Sequence, residues 1–326
     1  MRCVHQILCP HRAAPSEATS MWRTYPVTEE FNDVRIDAAI ARLTGLSRAE
    51  VQRLIDTGDV LLDGNPVAKS VRLRAQSILE INIPTPRTVA PRGGDVTIPI
   101  LYEDGDLVVV DKPAGLAAHP SLNFTGPDVL GALMNAGVQL SAYGPAERKG
   151  IVHRLDVGTS GCMVVAKSER AYVLLKDEFR QRVPEKIYHA LVQGHPDPLS
   201  GTVDAPIGRD PRHQWKMGVR ADGRHSVTHY DTLEAMAGGS LLQVHLETGR
   251  THQIRVHMSA LGHPCVGDAT YGADPGLSET LGLTRQWLHA THLGFEHPDG
   301  SWREFEAPYP ADLATALERM RAGVFS

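Results

Sequence analysis

Long apolar runs are missing from this chain. No stretch approaches the roughly 18 consecutive apolar residues needed to span a bilayer. The first 20 residues, MRCVHQILCPHRAAPSEATS, lack the continuous apolar core of a signal peptide. Cysteine is scarce: four in 326 residues, with Cys162 and Cys265 inside apparent core segments. That argues against a disulfide framework and fits a reducing compartment, so a cytoplasmic location is expected. Positive charge is not in excess either. The formal net charge is −5, which disfavours general coating of a polyanion while leaving room for a local basic face. Metal-ligand spacing is absent as well. Cys3, His5, Cys9 and His11 match no finger pattern, His252 and His257 are five residues apart, and His289 and His292 sit on an apparent strand. No metal and no cofactor is expected, and a metal-dependent hydrolase built on the sixteen histidines fails on the same ground.

What is present is an ordinary globular composition, 42% hydrophobic and 22% charged, long enough for one large domain and a small one. Residues 1–20 show no periodicity and read as a disordered leader. A small domain is expected over 34–83. Ile36, Ala39, Ile40 and Leu43 make one helical face, and Ser47 with Glu50 forms a capping box for a helix that buries Val51, Leu54 and Ile55. Gly58 is placed to stop that helix. A strand Val60–Leu62, an Asp63-Gly64 turn and a strand alternating Leu79, Ile81 and Ile83 follow. Arg35, Arg42, Arg48, Arg53, Lys69, Arg72 and Arg74 fall on outward positions, where acidic residues are nearly as many.

The stretch PTPRTVAPRGG, 84–94, reads as a linker. The large domain, 95–326, mixes strands and helices with no regular βαβ alternation and no glycine-rich phosphate loop, so α+β with a mainly antiparallel sheet is expected. Its predicted strands include Leu107–Val110, Cys162–Ala166, 185–194 and Leu241–Leu246. Its predicted helices are 128–135, one capped by Ser168, one capped by Thr251 that buries Ile254, Met258 and Leu261, and 311–321. Residues 207–234 read as a long, polar, turn-rich region in which Trp215 lies among Arg212, His213 and Lys216, a pattern suited to a nucleic-acid surface. The centre of the domain is GIVHRLDVGTSGCMVVAKS, where Asp156, flanked by His153 and Arg154, stands at the mouth of a buried strand. An Arg-x-Asp pair beside a turn is more often a structural ion pair than a catalytic group.

Four stretches shift that balance: VVDKPAGLAAHP, GIVHRLDVGTSGCMVVAKS, EKIYHALVQG and LETGRTHQIRVHMSALGHPCVGDATYG. Together, over about residues 95–310, they resemble the RluA family of pseudouridine synthases, which act on large-subunit ribosomal RNA. The segment SRAEVQRLIDTGDVLLDGNPV resembles the RNA-binding domain named after ribosomal small-subunit protein four. The resemblance implies isomerisation of uridine to pseudouridine without a cofactor, by a monomer whose partner is RNA. It matches Asp156 to the catalytic aspartate, Tyr188 to the tyrosine that packs on the target uracil, and Arg255 to the basic partner of the aspartate. Arg154 matches the arginine that fills the displaced nucleotide's place; His153, His119 and Arg250 lie in matched motifs, and Arg48 and Arg53 in the small domain. The alternative is a non-catalytic RNA-binding or ribosome-assembly factor, which the small domain supports equally well but the filled Asp, Tyr and Arg positions do not.

Overall fold

A computed structural model describes residues 20–323, apart from 45, 47, 85–89, 122–123, 146–147 and 214. The chain divides into two compact units, 1–88 and 89–326. The expected capping serine, Ser47, and the four Cys and His residues near the N-terminus lie outside the described residues.

The first unit holds β1 (Ser20–Pro26), α1 (Ile36–Thr44), α2 (Arg48–Asp56), β2 (Val60–Leu62), β3 (Asn65–Pro66) and β4 (Ile78–Pro84). Its sheet runs β1-β4-β2-β3, all antiparallel. The two helices bury Ile36, Ala39, Ile40, Val51, Leu54 and Ile55 against Val60, Leu79 and Ile81 of the sheet. Asp63 and Gly64 both take positive φ, 51° and 76°, the geometry of a two-residue hairpin turn. The unit begins earlier than residue 34, because β1 pairs along its whole length with β4. Its residues show too weak an alternation to announce a strand.

The second unit holds β5 (Ile100–Glu103), β6 (Leu107–Lys112), α3 (Val129–Asn135), β7 (Ser160–Ala166), α4 (Glu169–Gln181), β8 (Glu185–Gln193) and β9 (Ser200–Asp204). After these come the hairpin β10 (Ile207–Arg209) and β11 (Met217–Val219), then β12 (Val227–Met236), β13 (Gly239–Leu246), α5 (Gln253–Ala260), α6 (Pro275–Leu281), β14 (Leu288–Glu296), β15 (Trp302–Glu306) and α7 (Ala311–Arg321). The main sheet runs β5-β6-β7-β14-β8-β13-β12-β9, with β15 added on β14. Only the β7–β14 pair is parallel, so the expected α+β, mainly antiparallel architecture is the one observed. Helices cover both faces. Leu130, Leu133, Ile254 and Met258 of α3 and α5 pack with Val108, Val110, Met163, Tyr188 and Ala190 on one face. On the other, Leu175 of α4 packs with Leu107, Val164 and Phe295, and α6 and α7 close over Leu191 and Trp287. Each fully buried aliphatic side chain here contributes about 1.5–3 kcal/mol over leaving it in water.

Three expectations need correction. The polar stretch 207–234 holds most of the ten-residue strand β12, Val227–Met236, whose buried Thr228 and Tyr230 alternate with His229 and Asp231. Thr251 does not cap α5, whose N-cap is His252; Gln253 Oε1 instead receives the Arg250 N–H and the Thr248 hydroxyl, and Leu261 is exposed. The end of the expected linker is not loose, since Arg92 and Asp128 exchange two hydrogen bonds and Gly93 fits against Gly131, where a Cβ would lie 2.5 Å from the Gly131 carbonyl.

Candidate active site

Asp156 stands on the loop that leads into β7. The Thr159 amide donates to the Asp156 carbonyl, closing the turn, and Gly161 then crosses β14 so closely that a Cβ would fall 2.2 Å from the Ala290 carbonyl. At a φ of 115° the position is also in the region where only glycine is unstrained. A buried lysine braces the loop from below. Lys112 Nζ donates to the carbonyls of Pro113, Leu116 and Val157 at 3.0, 2.9 and 3.4 Å, and Gly115 N–H also reaches Val157. This ties the DKPAG turn to the residue after Asp156. Burial pulls the Lys112 ammonium down to about 7, with Asp156 opposing that shift.

The other walls come from distant parts of the chain. Tyr188 faces inward from β8, and burial pushes its phenol well above the ordinary range, with the Asp156 charge adding to the shift. Arg255 projects from the first turn of α5, which Gln253 pins to β12 by donating to the Val227 carbonyl and the Thr228 hydroxyl. Arg255 donates to both Asp268 oxygens, at 2.6 and 2.9 Å, and its Nη1 stands 3.6 Å from Asp156 Oδ2. Tyr271 lies under its guanidinium at 4.9 Å. Burial alone would weaken this cation, but Asp268's hydrogen bonds and the charges of Asp268 and Asp156 raise its pKa. Together with Arg154, Thr159, Leu246, Arg250, His252, Ile254 and Leu288, these side chains line a small cleft. A basic groove opens beside it and shares Arg154, Tyr188, Leu246 and Arg250; its far wall is Arg180, Arg182 and Lys186.

A cleft that holds one aspartate among three arginines and an apolar wall, with a basic groove beside it, suits a polyanion that must present a single base. The sequence matches the family model described as RNA pseudouridylate synthase over residues 106–260. It is 56% identical over 302 residues to an RNA pseudouridine synthase of Mycobacterium bovis, covering 92% of this chain and 98% of that one. The chain belongs to the RNA pseudouridine synthases. It is also 40% identical to the ribosomal large subunit pseudouridine synthase D of Zymomonas mobilis, covering 88% of this chain and 94% of that protein. Among solved structures, human RNA pseudouridylate synthase domain containing 4 superposes with a TM-score of 0.54 at 28% identity, covering 68% of this chain and 93% of that one. The synthase is therefore an isomerase acting on RNA.

The structure gathers five of the nine candidate site residues at the cleft: Asp156, Tyr188, Arg255, Arg154 and Arg250. Arg154 is exposed at the mouth, and Arg250 Nε donates to the His225 carbonyl. His153 serves differently from the expected RNA contact. Its Nε2 accepts the Val164 N–H, its ring stacks on Phe179 at 4.5 Å, and burial holds it neutral, down to about 3. It lines the groove as packing rather than as a cation. His119 does not line the cleft, and its Nδ1 lies 2.8 Å from the Pro120 carbonyl. Arg48 and Arg53 are exposed on α2 of the other unit. Sequence reasoning missed Lys112, Asp268, Tyr271, His252 and the groove cations Arg180, Arg182 and Lys186. The first four lie within quoted motifs, while nothing in the sequence marks the groove set. His292, set aside as a ligand by spacing, lies with Glu185 and Glu304 on one sheet face, donor atoms within 4.8 Å of one another and away from the cleft.

Proposed function

We propose that this synthase converts uridines of large-subunit ribosomal RNA to pseudouridine, with Asp156 as the catalytic carboxylate. The observation that carries the reading is the convergence of Asp156, Arg255 and Tyr188 on one cleft that opens into a cationic groove. The reaction breaks the bond between ribose C1′ and uracil N1, turns the ring and joins C1′ to C5; C5 gives up its proton and N1 takes one up, so the product is an isomer. No electrons are exchanged with a second substrate, and uracil is a tolerable leaving group. What the protein must supply is a carboxylate at the ribose, a dry pocket, and a way to hold the detached ring. Asp156 meets the first need. Leu246, Ile254 and Leu288 supply apolar wall, and the Tyr188 ring offers a face to uracil, its hydroxyl, held protonated by burial, able to relay the C5 proton rather than take it up alone.

Extruding the target uridine from its stack costs a few kcal/mol. Phosphate contacts from Arg180, Arg182, Lys186 and Arg250 would offset this, and Arg154 at the mouth is placed to occupy the gap left in the strand. The ribosomal substrate is supported by relatives such as the Zymomonas mobilis and Xanthomonas campestris proteins, both named ribosomal large subunit pseudouridine synthase D. The small unit, with its exposed Arg48 and Arg53, serves as an RNA-binding module of the ribosomal-protein-four kind, engaging shape and phosphates. The protein works as a cytoplasmic monomer without cofactor.

The test is tritium release from uracil carbon 5 in ribosomal and transfer RNA transcripts, with wild type and Asp156→Asn. Release from ribosomal RNA by wild type alone, with RNA affinity equal in both proteins, is the expected result. Turnover by Asp156→Asn near wild type removes Asp156 from the role. Tight binding with no release from either transcript favours the assembly-factor reading.

A further inference from the structure

His252 occupies a conformation that needs a cause. It is the N-cap of α5 with φ 57° and ψ 22°, the left-handed region that non-glycine residues rarely enter. The bend carries its ring into the cleft, edge-on to Tyr271, with centroids 5.6 Å apart and planes at 81°. Its Nδ1 is 2.8 Å from the Tyr271 hydroxyl, and its Nε2 is 4.0 Å from Asp156 Oδ2.

The hydrogen bonds favour one placement of the ring proton. Tyr271 oxygen accepts the Met217 N–H at 3.1 Å, and a backbone amide can only donate. The hydroxyl's own hydrogen is then free to point at His252 Nδ1, making Nδ1 the acceptor. In a neutral ring the proton then sits on Nε2, facing Asp156. Burial lowers the imidazole's proton affinity, Arg255 and Arg154 act in the same direction, and Asp156 and Asp268 oppose them. Arg255 Nη1 approaches the same Asp156 oxygen at 3.6 Å, so two N–H groups converge on Oδ2. At these distances both are ion-pair contacts rather than closed hydrogen bonds, and no described residue hydrogen-bonds this carboxylate.

We propose that His252 is a positioning residue: a neutral Nε2–H donor, its tautomer set by Tyr271, that together with Arg255 holds Asp156 Oδ2 and leaves the other oxygen for the ribose. The inference rests on Asp156 being the catalytic carboxylate. It deepens that reading by connecting the cleft to the β10–β11 hairpin through Met217, Tyr271 and His252. Nothing in this role requires His252 to gain or lose a proton during turnover.

Nitrogen-15 spectra of histidine-labelled full-length protein test the tautomer with no RNA present. The resonance lost in His252→Gln identifies the residue. Wild type should show a single Nε2-protonated ring at neutral pH, and Tyr271→Phe should add the Nδ1-protonated form. An imidazolium or a mainly Nδ1-protonated ring in wild type overturns the proposal, whatever the RNA specificity. Tritium release supplies the second measurement. His252→Phe should lower kcat about 100-fold with KM little changed, the usual loss of one positioned donor. His252→Gln, which keeps an uncharged N–H, should stay within about tenfold of wild type. Tyr271→Phe should slow wild type yet add nothing to His252→Gln. Equal loss in the Gln and Phe variants, with a pH limb missing from both, makes His252 a titrating acid–base group and refutes the positioning role. Thermal melts of each variant separate misfolding from either outcome. Absence of turnover by wild type itself counts against the proposed function, and the nitrogen spectra then decide the tautomer alone.

Discussion

Replacing Asp268 by asparagine keeps the shape of the side chain and removes its charge. The consequence follows from how Arg255 is held. Its Nε and Nη2 donate to the two Asp268 oxygens at 2.6 and 2.9 Å, and both side chains are almost wholly buried, 8% and 1% exposed. Asparagine would face one of those N–H groups with an NH₂ of its own, so one hydrogen bond becomes a clash of donors. The guanidinium would be left with Asp156, at 3.6 Å, as its nearest negative charge. Breaking a buried pair from one side costs about 3–5 kcal/mol, which for a unit of this size lowers Tm by roughly 6–20 °C. Activity should fall as well, because Arg255 would turn toward Asp156 and tie up the carboxylate. The assay is a thermal melt beside tritium release at saturating RNA. A Tm within about 2 °C of wild type, together with unchanged kcat, would refute the claim that Asp268 sets the position of Arg255.

Two further expectations concern buried groups whose charge the fold disfavours. Lys112 is lowered from 10.5 to about 7, so between those values the unfolded chain binds more protons and stability rises with pH. From pH 7 to 9 this is worth about 2 kcal/mol; denaturant titrations of wild type and Lys112→Met should differ by that pH-dependent amount, and a flat difference means that the three carbonyls keep the ammonium charged against burial. His289 is fully buried between the Ser160 hydroxyl and the Ala307 carbonyl, and burial takes it from 6.5 to about 4. It costs nothing above pH 6.5 and destabilises as pH falls through that window, by about 2.5 kcal/mol at pH 4.5. Comparing unfolding at pH 7.5 and 4.5 in wild type and His289→Asn checks it, and an acid sensitivity unchanged by the substitution would place its origin elsewhere.

Legibility in the sequence followed the range of the interaction. Helix caps and faces are set by residues three or four apart, so Ser168 as an N-cap was readable, and it accepts the Ala171 N–H; the helix over 128–135 was also readable, though not that Asp128 caps it. Asp156, Tyr188 and Arg255 were named because motif resemblance supplied what periodicity could not. β1 and β12 escaped because a strand is stabilised by its neighbours, and neither carries enough alternation of its own.

The sequence by itself determined most of the element types and the mainly antiparallel class, and its motifs named three side chains that meet at the cleft. The tertiary structure decided what surrounds them. Asp268 and Tyr271 reach Arg255 from beyond the end of α5, Lys112 braces the Asp156 loop from 45 residues upstream, and His252 takes its ring orientation from a tyrosine 19 residues on. The groove cations Arg180, Arg182 and Lys186 meet Arg250 only because β8 and β13 pair. Charge, hydrogen bonding and burial act through space, and the chain order records such neighbours only where they are also close in sequence.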